Sequence, residues 1–519
     1  MKEGQEVIDF CTEALDLERL LANHSCSQGS FLLELAYEEK EDDLQELVWL
    51  LDNCEEKCEF LWGNFSSNTF EKDLCKLFKE RIRMLYKEIS CLKNKIHTDS
   101  YTHFYELKYK IRTLMKQLAG IMTSSDWVSP AVYREGGWTE KGKFQQEEDT
   151  YMRMRGSEYV KKLEKNFLFE YYDIHPSCEK KTIGFLTSSG MKAIEVALLA
   201  WRMISKENGL PIYYQDGLYF EAATLVKSIE PKAQVLTTEE IYYKLDQGEE
   251  IGCLIVDPGS TWPIRNGVNL EVLVQKLSTH KQKAPLFLII DRTVTSIANQ
   301  LFQKYGHKIP NNIVFISVES GLKYFQFGLD LSNMGFISIS SNLIRLPAIL
   351  DLFEHLLNVL SANPDPTLML YLPPFSREKL QKRLVRMGRN TAILYKLFSD
   401  SNEFKNISKV YTSISKRQKY QLNNQDWIGT LLYLQFHHLN SKEEYYNFSR
   451  KLITSSPLDL CLFSGSSFGF DTMRLCLVEE MNSSKENVAL RFSVGRDPID
   501  EFLKKIQYFQ QFLKLKGVE

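Results

Sequence analysis

No uninterrupted apolar run in the 519 residues approaches the roughly 20 that a bilayer-spanning helix needs, so no membrane is expected as a partner. Charge of one sign is not in excess either. Lys and Arg number 64 against 67 Asp and Glu, a net charge of -3, and no nucleic acid or other polyanion is expected to bind. The opening stretch MKEGQEVIDFCTEALDLERLL has acidic residues throughout and lacks a basic-then-apolar leader pattern, so a cytoplasmic protein is expected. Proline is missing from the first 125 residues, and neither an internal repeat nor a long low-complexity tract occurs anywhere. A second cysteine pair is missing as well. Six of the ten cysteines (Cys11, Cys26, Cys54, Cys58, Cys75 and Cys91) fall in the first fifth of the chain, but only Cys54 and Cys58 are close. One C-x3-C supplies half of a tetrahedral set, so no metal is expected and the thiols read as reduced helix positions.

What is present is the balance of a soluble globular protein, 44% hydrophobic and 25% charged, long enough for two or three domains. Residues 1 to about 125 read as helical, with apolar residues recurring at three and four in DDLQELVWLLDNCEEKCEFLW, FEKDLCKLFKERIRMLYKEISCLKNKI and YTHFYELKYKIRTLMKQLAGIM. The turn-rich TSSDWVSPAVYREGGWTEKG then breaks the pattern. From about residue 180, short continuous apolar runs (KTIGFLTSSG, IGCLIVDPGS, APLFLIIDRT, NNIVFISVES) alternate with helical stretches, as in an α/β fold with a mostly parallel central sheet. Amphipathic helices and shorter strands follow, around a proline-bearing connection, SANPDPTLMLYLPPFS. The expected division is an N-terminal helical extension over 1–135, a large α/β domain over 136–345 and a smaller α+β domain over 346–519.

In an open α/β sheet, ligands bind at the carboxyl ends of strands. The run ending at Thr187 leads through Ser188, Ser189 and Gly190 into a helix, which offers free N–H groups and a positive dipole end to a phosphate; ordinary helix capping gives the same pattern. Asp291 follows five apolar residues and needs a cation, either the protonated ring nitrogen of a cofactor or a salt-bridge partner. Lys323 ends the next strand, 32 residues later. A phosphate seat, an aspartate and a lysine in this arrangement are what pyridoxal phosphate requires.

The stretch from about residue 145 to the C-terminus resembles the Cys/Met-metabolism family of pyridoxal-phosphate enzymes, the cystathionine gamma-synthase, cystathionine gamma-lyase and methionine gamma-lyase group of fold type I. TYMRMRGSEYVKKLE resembles the family's Tyr-x-Arg element, which implies that Tyr151 and Arg153 reach a neighbouring subunit's cofactor phosphate. SSGMKAIEVAL resembles its Ser-Ser-Gly-Met element, implying a phosphate cradle at Ser189, Gly190 and Met191. By the same resemblance Tyr219 stacks on the cofactor and assists proton transfer, Asp291 pairs the ring nitrogen, Ser320 binds phosphate and Lys323 forms the Schiff base. LRFSVGRD implies that Arg491 clamps the substrate carboxylate, and GSSFGFDTM that Ser466 belongs to the same pocket.

The chain departs from the family pattern at three places. Leu322 replaces a threonine before the lysine, Trp262 stands where an asparagine is expected, and Phe220 and Glu221 follow Tyr219 in place of small residues. Glu221 either meets a basic group on the substrate or pairs locally. The resemblance implies elimination or replacement at the β or γ carbon of an L-amino acid, with Lys323, Tyr219 and Tyr151 managing protons in a homodimer or homotetramer with shared sites. Two alternatives stay open: a degenerate relative whose N-terminal helices dock a partner, and an aminotransferase or decarboxylase of the same fold.

Overall fold

The computed structural model describes residues 28–64, 69–95, 101–123, 158–205, 209–259, 267–343, 346–364, 372–400, 404, 406–414, 418, 420–479 and 488–515. Three helices come first: α1 (Gln28–Asn64), α2 (Thr69–Lys93) and α3 (Thr102–Thr123). Their helically spaced apolar residues meet in one core, where Leu47, Leu51 and Cys58 of α1 pack with Ile82 and Leu85 of α2 and with Phe104 and Ile111 of α3. Cys54, Cys58 and Cys75 are buried in it. Burial pushes the thiols of Cys54 and Cys58 up to about 12, so both are neutral packing groups. Among the described residues, no three His, Cys, Asp or Glu side chains gather as a metal ion would need, and no helix is long and apolar enough to cross a membrane.

After α4 (Glu158–Tyr171), strands and helices alternate: β1 (Thr182–Thr187), α5 (Gly190–Ser205), β2 (Ile212–Gln215), α6 (Phe220–Ile229), β3 (Gln234–Leu236), α7 (Thr238–Asp246), β4 (Cys253–Val256), α8 (Leu270–Thr279), β5 (Leu286–Asp291), α9 (Leu301–Tyr305), β6 (Ile313–Ser320) and β7 (Gly335–Ser341). They form a seven-stranded sheet in the order β1-β7-β6-β5-β4-β2-β3. The pairs from β3 through β6 are parallel, and β7 runs antiparallel to both β1 and β6. Helices cover both faces, which is why Leu286–Asp291 is buried at every position and reads as a continuous apolar run. Thr237 and Glu240 close a reciprocal capping box at the start of α7. The next helix, α10 (Leu346–Val359), lays Ile349, Phe353 and Leu357 into the same core as Ala197 and Leu198 of α5, so by packing it belongs to this large sheet.

The long helix α11 (Arg377–Asp400) precedes β8 (Ile407–Thr412), the hairpin β9 (Tyr420–Leu422) and β10 (Gln425–Trp427), β11 (Leu431–Phe436), α12 (Lys442–Thr454), β12 (Phe463–Ser464), β13 (Arg474–Glu479), β14 (Val488–Ser493) and α13 (Ile499–Leu515). A second sheet runs β12-β13-β14-β11-β8. Phe448 of α12 and Phe502, Ile506 and Phe509 of α13 contribute to its core.

The first three helices are joined to the rest through buried ion pairs. Lys108 of α3 holds Glu46 at 2.6 Å and Asp471 at 2.7 Å. Arg383 and Arg496 reach Asp471 at 2.6 and 2.7 Å. Asp43 accepts from Arg386 at 2.8 Å and from Arg496 at 3.0 Å, and the hydroxyl of Tyr105 donates to Asp497 at 2.6 Å. Burial opposes the charge on Asp471, but Arg383, Lys108 and Arg496 outweigh it and hold the carboxyl well below the usual carboxylate range. Removing one member of such a buried set costs about 3–5 kcal/mol, because the remaining charges stay dry and unpaired.

Candidate active site

Adjacent strand ends bring the candidate residues together. Parallel register places Ile290 beside Ser317 and Asp291 beside Val318, so β5 and β6 end side by side, with Asp291 on one and Ser320 on the other. Asp291 is buried and accepts a hydrogen bond from the Thr293 N–H at 2.9 Å. Burial raises its pKa despite the bonds from Thr293. Asp257, one residue past β4, is also buried; burial first and the charge of Asp291 second push its pKa far up. Two carboxylates at neighbouring strand ends, each costly to ionise, form a site that favours a cation.

The start of α5 lies against the end of β6. A Cβ on Gly190 would stand 2.8 Å from the Cβ of Ser320, closer than real side chains approach, so only glycine lets the helix N-terminus sit on this strand. Ser189 Oγ accepts from the Lys192 N–H at 3.1 Å. The N–H groups of Gly190 and Met191, in the first turn, have no carbonyl one turn back within the helix. The Ser320 N–H is taken by Thr293 Oγ1 at 3.0 Å, which steadies the strand end beneath the helix. Leu322 offers no hydroxyl here, so Ser320 is the side-chain donor that this turn presents.

Lys323, expected at the end of a strand, instead lies half-buried in the turn that follows β6, three residues past Ser320. Its Nζ donates to Ser467 Oγ at 3.0 Å and lies 5.3 Å from the ring centre of Phe468. Burial first, then the charge of Arg491, lowers its pKa, while Asp330 and Glu221 pull the other way. The result is an amine from which a proton is more easily removed than from a surface lysine. Arg491, buried on β14, donates through Nη2 to the carbonyl of Ser466, and its Nε is buried without a hydrogen-bond partner among the described residues. The guanidinium also meets Tyr433 and Cys476, so Nε is the donor left for a further acceptor such as a carboxylate.

Tyr219 caps α6 and stacks edge-on to Phe220, with ring centres 5.0 Å apart. Burial and its hydrogen bond to Glu221 raise the phenol far above its ordinary value, so it keeps its proton. Glu221 is exposed, faces Lys323 electrostatically and pairs locally with Tyr219. Ser466 contributes its carbonyl to Arg491, whereas the hydroxyl that meets Lys323 belongs to Ser467. Tyr151, Arg153 and Trp262 lie outside the described residues. Ser467, Asp257 and Asp330 went unnoticed in the sequence: Ser467 is one of two adjacent serines, and the carboxylates reach the site only through strand order and loop path.

No protein-family model and no curated protein sequence matches the chain. Among solved structures it is similar to cystathionine gamma synthase from Xanthomonas oryzae pv. oryzae in complex with cystathionine, at 15% identity over 78% of this chain and 98% of that one, with a TM-score of 0.52. A putative O-acetylhomoserine (thiol)-lyase from Campylobacter jejuni subsp. jejuni, which carries a pyridoxyl-lysine phosphate, is 16% identical over 73% of this chain and 91% of its own, with a TM-score of 0.48. Cystathionine gamma-lyase from Lactobacillus plantarum complexed with L-serine is 14% identical over 64% and 82%, with a TM-score of 0.47. The first of these likenesses, together with the sheet order, establishes the fold: the chain has the mixed α/β architecture of fold-type-I pyridoxal-phosphate enzymes.

Proposed function

We propose that this chain is a pyridoxal-phosphate enzyme that carries out β- or γ-elimination or replacement on an L-amino acid. The observation that carries this reading is that β5 and β6 end side by side, with Asp291 on one, Ser320 on the other against Gly190 of the helix start, and Lys323 three residues further on. The residues fit the cofactor by charge and hydrogen bonding: the first-turn N–H groups of α5, seated on the end of β6, suit a phosphate, and the buried carboxylates favour a cationic ring nitrogen. In this reading Ser189, Gly190, Met191 and Ser320 hold the phosphate, Asp291 faces the ring nitrogen and Tyr219 covers the ring. Tyr151 and Arg153 belong to the neighbouring subunit's site in a homodimer or homotetramer. The cofactor-binding part, expected over 136–345, is extended to 359 because the helix over 346–359 packs on the large sheet, and the smaller part, expected over 346–519, is assigned to the residues after it. Similarity to an enzyme bound to cystathionine supports the reaction class.

When bound, pyridoxal phosphate supplies an aldehyde that condenses with an amine and a ring that takes up the electron pair released at the amino acid's Cα. Arg491 presents its unpartnered Nε to the substrate carboxylate and so fixes which Cα bond faces Lys323. Lys323, with its proton affinity lowered by burial, removes the Cα proton; Ser467 holds the amine in place. Tyr219 keeps its proton and serves as a donor to a departing group, with Glu221 orienting the hydroxyl.

Titration of the full-length chain with pyridoxal phosphate is expected to produce a visible absorbance band, and Lys323→Ala is expected to abolish it. A band of equal intensity in Lys323→Ala removes the assignment. Amino acids are then screened for released keto acid and ammonia, which elimination yields and replacement by an added thiol does not.

A further inference from the structure

Lys108, Arg112 and Lys116 follow one another at four-residue spacing on α3 and form one stripe. That stripe meets the segment downstream of Lys323. Lys108 Nζ donates to the carbonyl of Phe327 at 2.7 Å. Arg112 donates through Nη2 to the carbonyl of Asp330 at 2.8 Å and through Nε to that of Leu329. Lys116 faces the Asp330 carboxylate electrostatically. Between these polar contacts, Leu329 and Leu331 are buried in the core of the three N-terminal helices, and Trp49 of α1 meets Phe327 edge-on, with ring centres 5.1 Å apart.

The gripped backbone is one that the chain would not adopt unaided. Phe327, Gly328 and Asp330 have φ of 52°, 77° and 47°, and two of the three carry side chains that disfavour the left-handed region. The same helix also reaches the opposite wall of the site. Lys108 bonds Asp471 Oδ1 at 2.9 Å, Arg383 joins Asp471 at 2.6 Å to the Gly469 carbonyl at 2.8 Å, and Gly469 presses so closely on Lys323 that a Cβ would lie 1.9 Å from the lysine carbonyl. Lys108 therefore ties the segment carrying Lys323 to the turn carrying Ser467.

We propose that α3, through Lys108 and Arg112, is a built-in brace that sets Lys323 against Ser467 and Asp330, so that the N-terminal helices are part of the site's machinery. This rests on Lys323 being the working amine of the proposed function. Lys108 and Arg112 are positioning residues, acting through the backbone of Phe327–Asp330.

The test uses the full-length chain without added cofactor and reads Lys323 directly, by acetic anhydride labelling across a pH series with mass spectrometry, alongside amide hydrogen exchange. The charge of Lys323 is opposed by burial, Arg491 and Arg474 and supported by Asp330 and Glu221. Arg112→Met frees the Asp330 carboxylate to move away, so the labelling midpoint is expected to fall by about 0.5 pH unit or more. Exchange over Phe327–Ser332 is expected to rise about tenfold. Arg112→Lys, which keeps a donor, is expected to restore part of both effects. Lys40→Met, which breaks the half-buried Lys40–Asp500 pair elsewhere in the same interface, is expected to lower Tm and leave the midpoint in place. A wild-type midpoint and wild-type exchange in Arg112→Met would overturn the brace, as would an equal midpoint shift in Lys40→Met. Labelling shifts in a chain that never takes up pyridoxal phosphate would uphold the brace and remove the cofactor reading alone.

Discussion

The Nζ of Lys323 stands 3.0 Å from the hydroxyl of Ser467, on a turn 144 residues further along the chain. The hydroxyl oxygen accepts from the amine and so favours its charged form. In Ser467→Ala that bond is gone, and the Lys323 labelling midpoint is expected to fall by about one pH unit, a hydrogen bond to a charged group being worth about 1.5 kcal/mol. An unchanged midpoint would mean that the contact does not govern the amine.

Gly190→Ala places a methyl group 2.8 Å from the Cβ of Ser320, so either the helix start or the strand end must shift. Overpacking of this kind costs about 1–3 kcal/mol. The expected outcome is a lower urea midpoint together with at least tenfold weaker uptake of pyridoxal phosphate. Retention of both would show that the strand end yields without harm.

Asp291→Asn should separate stability from function. Asp257 and Asp291 both have pKa values raised by burial, and the charge of Asp291 raises Asp257 further. An acid raised in the folded state holds a proton that the unfolded chain has released, so stability falls as pH rises from about 4 through the folded value. Asp291→Asn deletes one such group and relieves the other. Its Tm without cofactor is expected to exceed wild type at pH 8, with a smaller gap at pH 5, while pyridoxal phosphate binding weakens. A lower Tm at pH 8 would refute the like-charge account.

Glu319 is buried beneath the site, paired with Arg292 at 3.2 Å and hydrogen-bonded by Tyr172, over whose ring Arg292 lies at 3.5 Å. Burial pushes its carboxyl up to about 7, against the pull of Arg292 and Tyr172. Wild-type stability should therefore decline between about pH 4.5 and 7 as the unfolded chain releases this proton first. Glu319→Gln cannot ionise. It is expected to match wild type near pH 5 and to gain about 2–3 kcal/mol relative to it by pH 8, read from denaturant melts at each pH. A constant difference between the two pH values would count against the raised carboxyl.

Deleting the N-terminal helices strips Arg386 and Arg496 of Asp43, and Arg496 of Glu46. It also uncovers Leu329 and Leu331. The truncated chain is expected to aggregate or unfold rather than yield a cleanly separated catalytic core, as light scattering and circular dichroism would show. A monodisperse, folded product would place the helices outside the folding unit.

Much of the fold was legible along the chain because periodicity is local. The apolar run LFLIID had to be a strand covered on both faces, and the three-and-four spacing before residue 125 had to be helix. Glycine at 190 and the charges at 291 and 323 stood out because each is costly or unusual where it falls. The helix over 346–359 read as the start of the smaller domain, yet it packs on the large sheet, since an amphipathic stripe does not say which surface it will cover. Alternating charges opposite the apolar faces of the N-terminal helices are the pattern that a solvated surface carries. Several of those charges are instead buried against Arg383, Arg386, Arg496 and Asp471, partners hundreds of residues away.

The amino-acid order alone determined the alternation of strands and helices, the glycine at the helix start and the aspartate at a strand end, because these follow from side-chain period and backbone sterics; the lysine falls in the turn three residues past the next strand. Only the tertiary structure decided that Ser467 rather than Ser466 meets the lysine, that Asp257 joins Asp291, and that α3 grips the segment after Lys323. Those relationships depend on distances between residues far apart in the chain, and close contact and low dielectric arise only once the sheets and helices have packed.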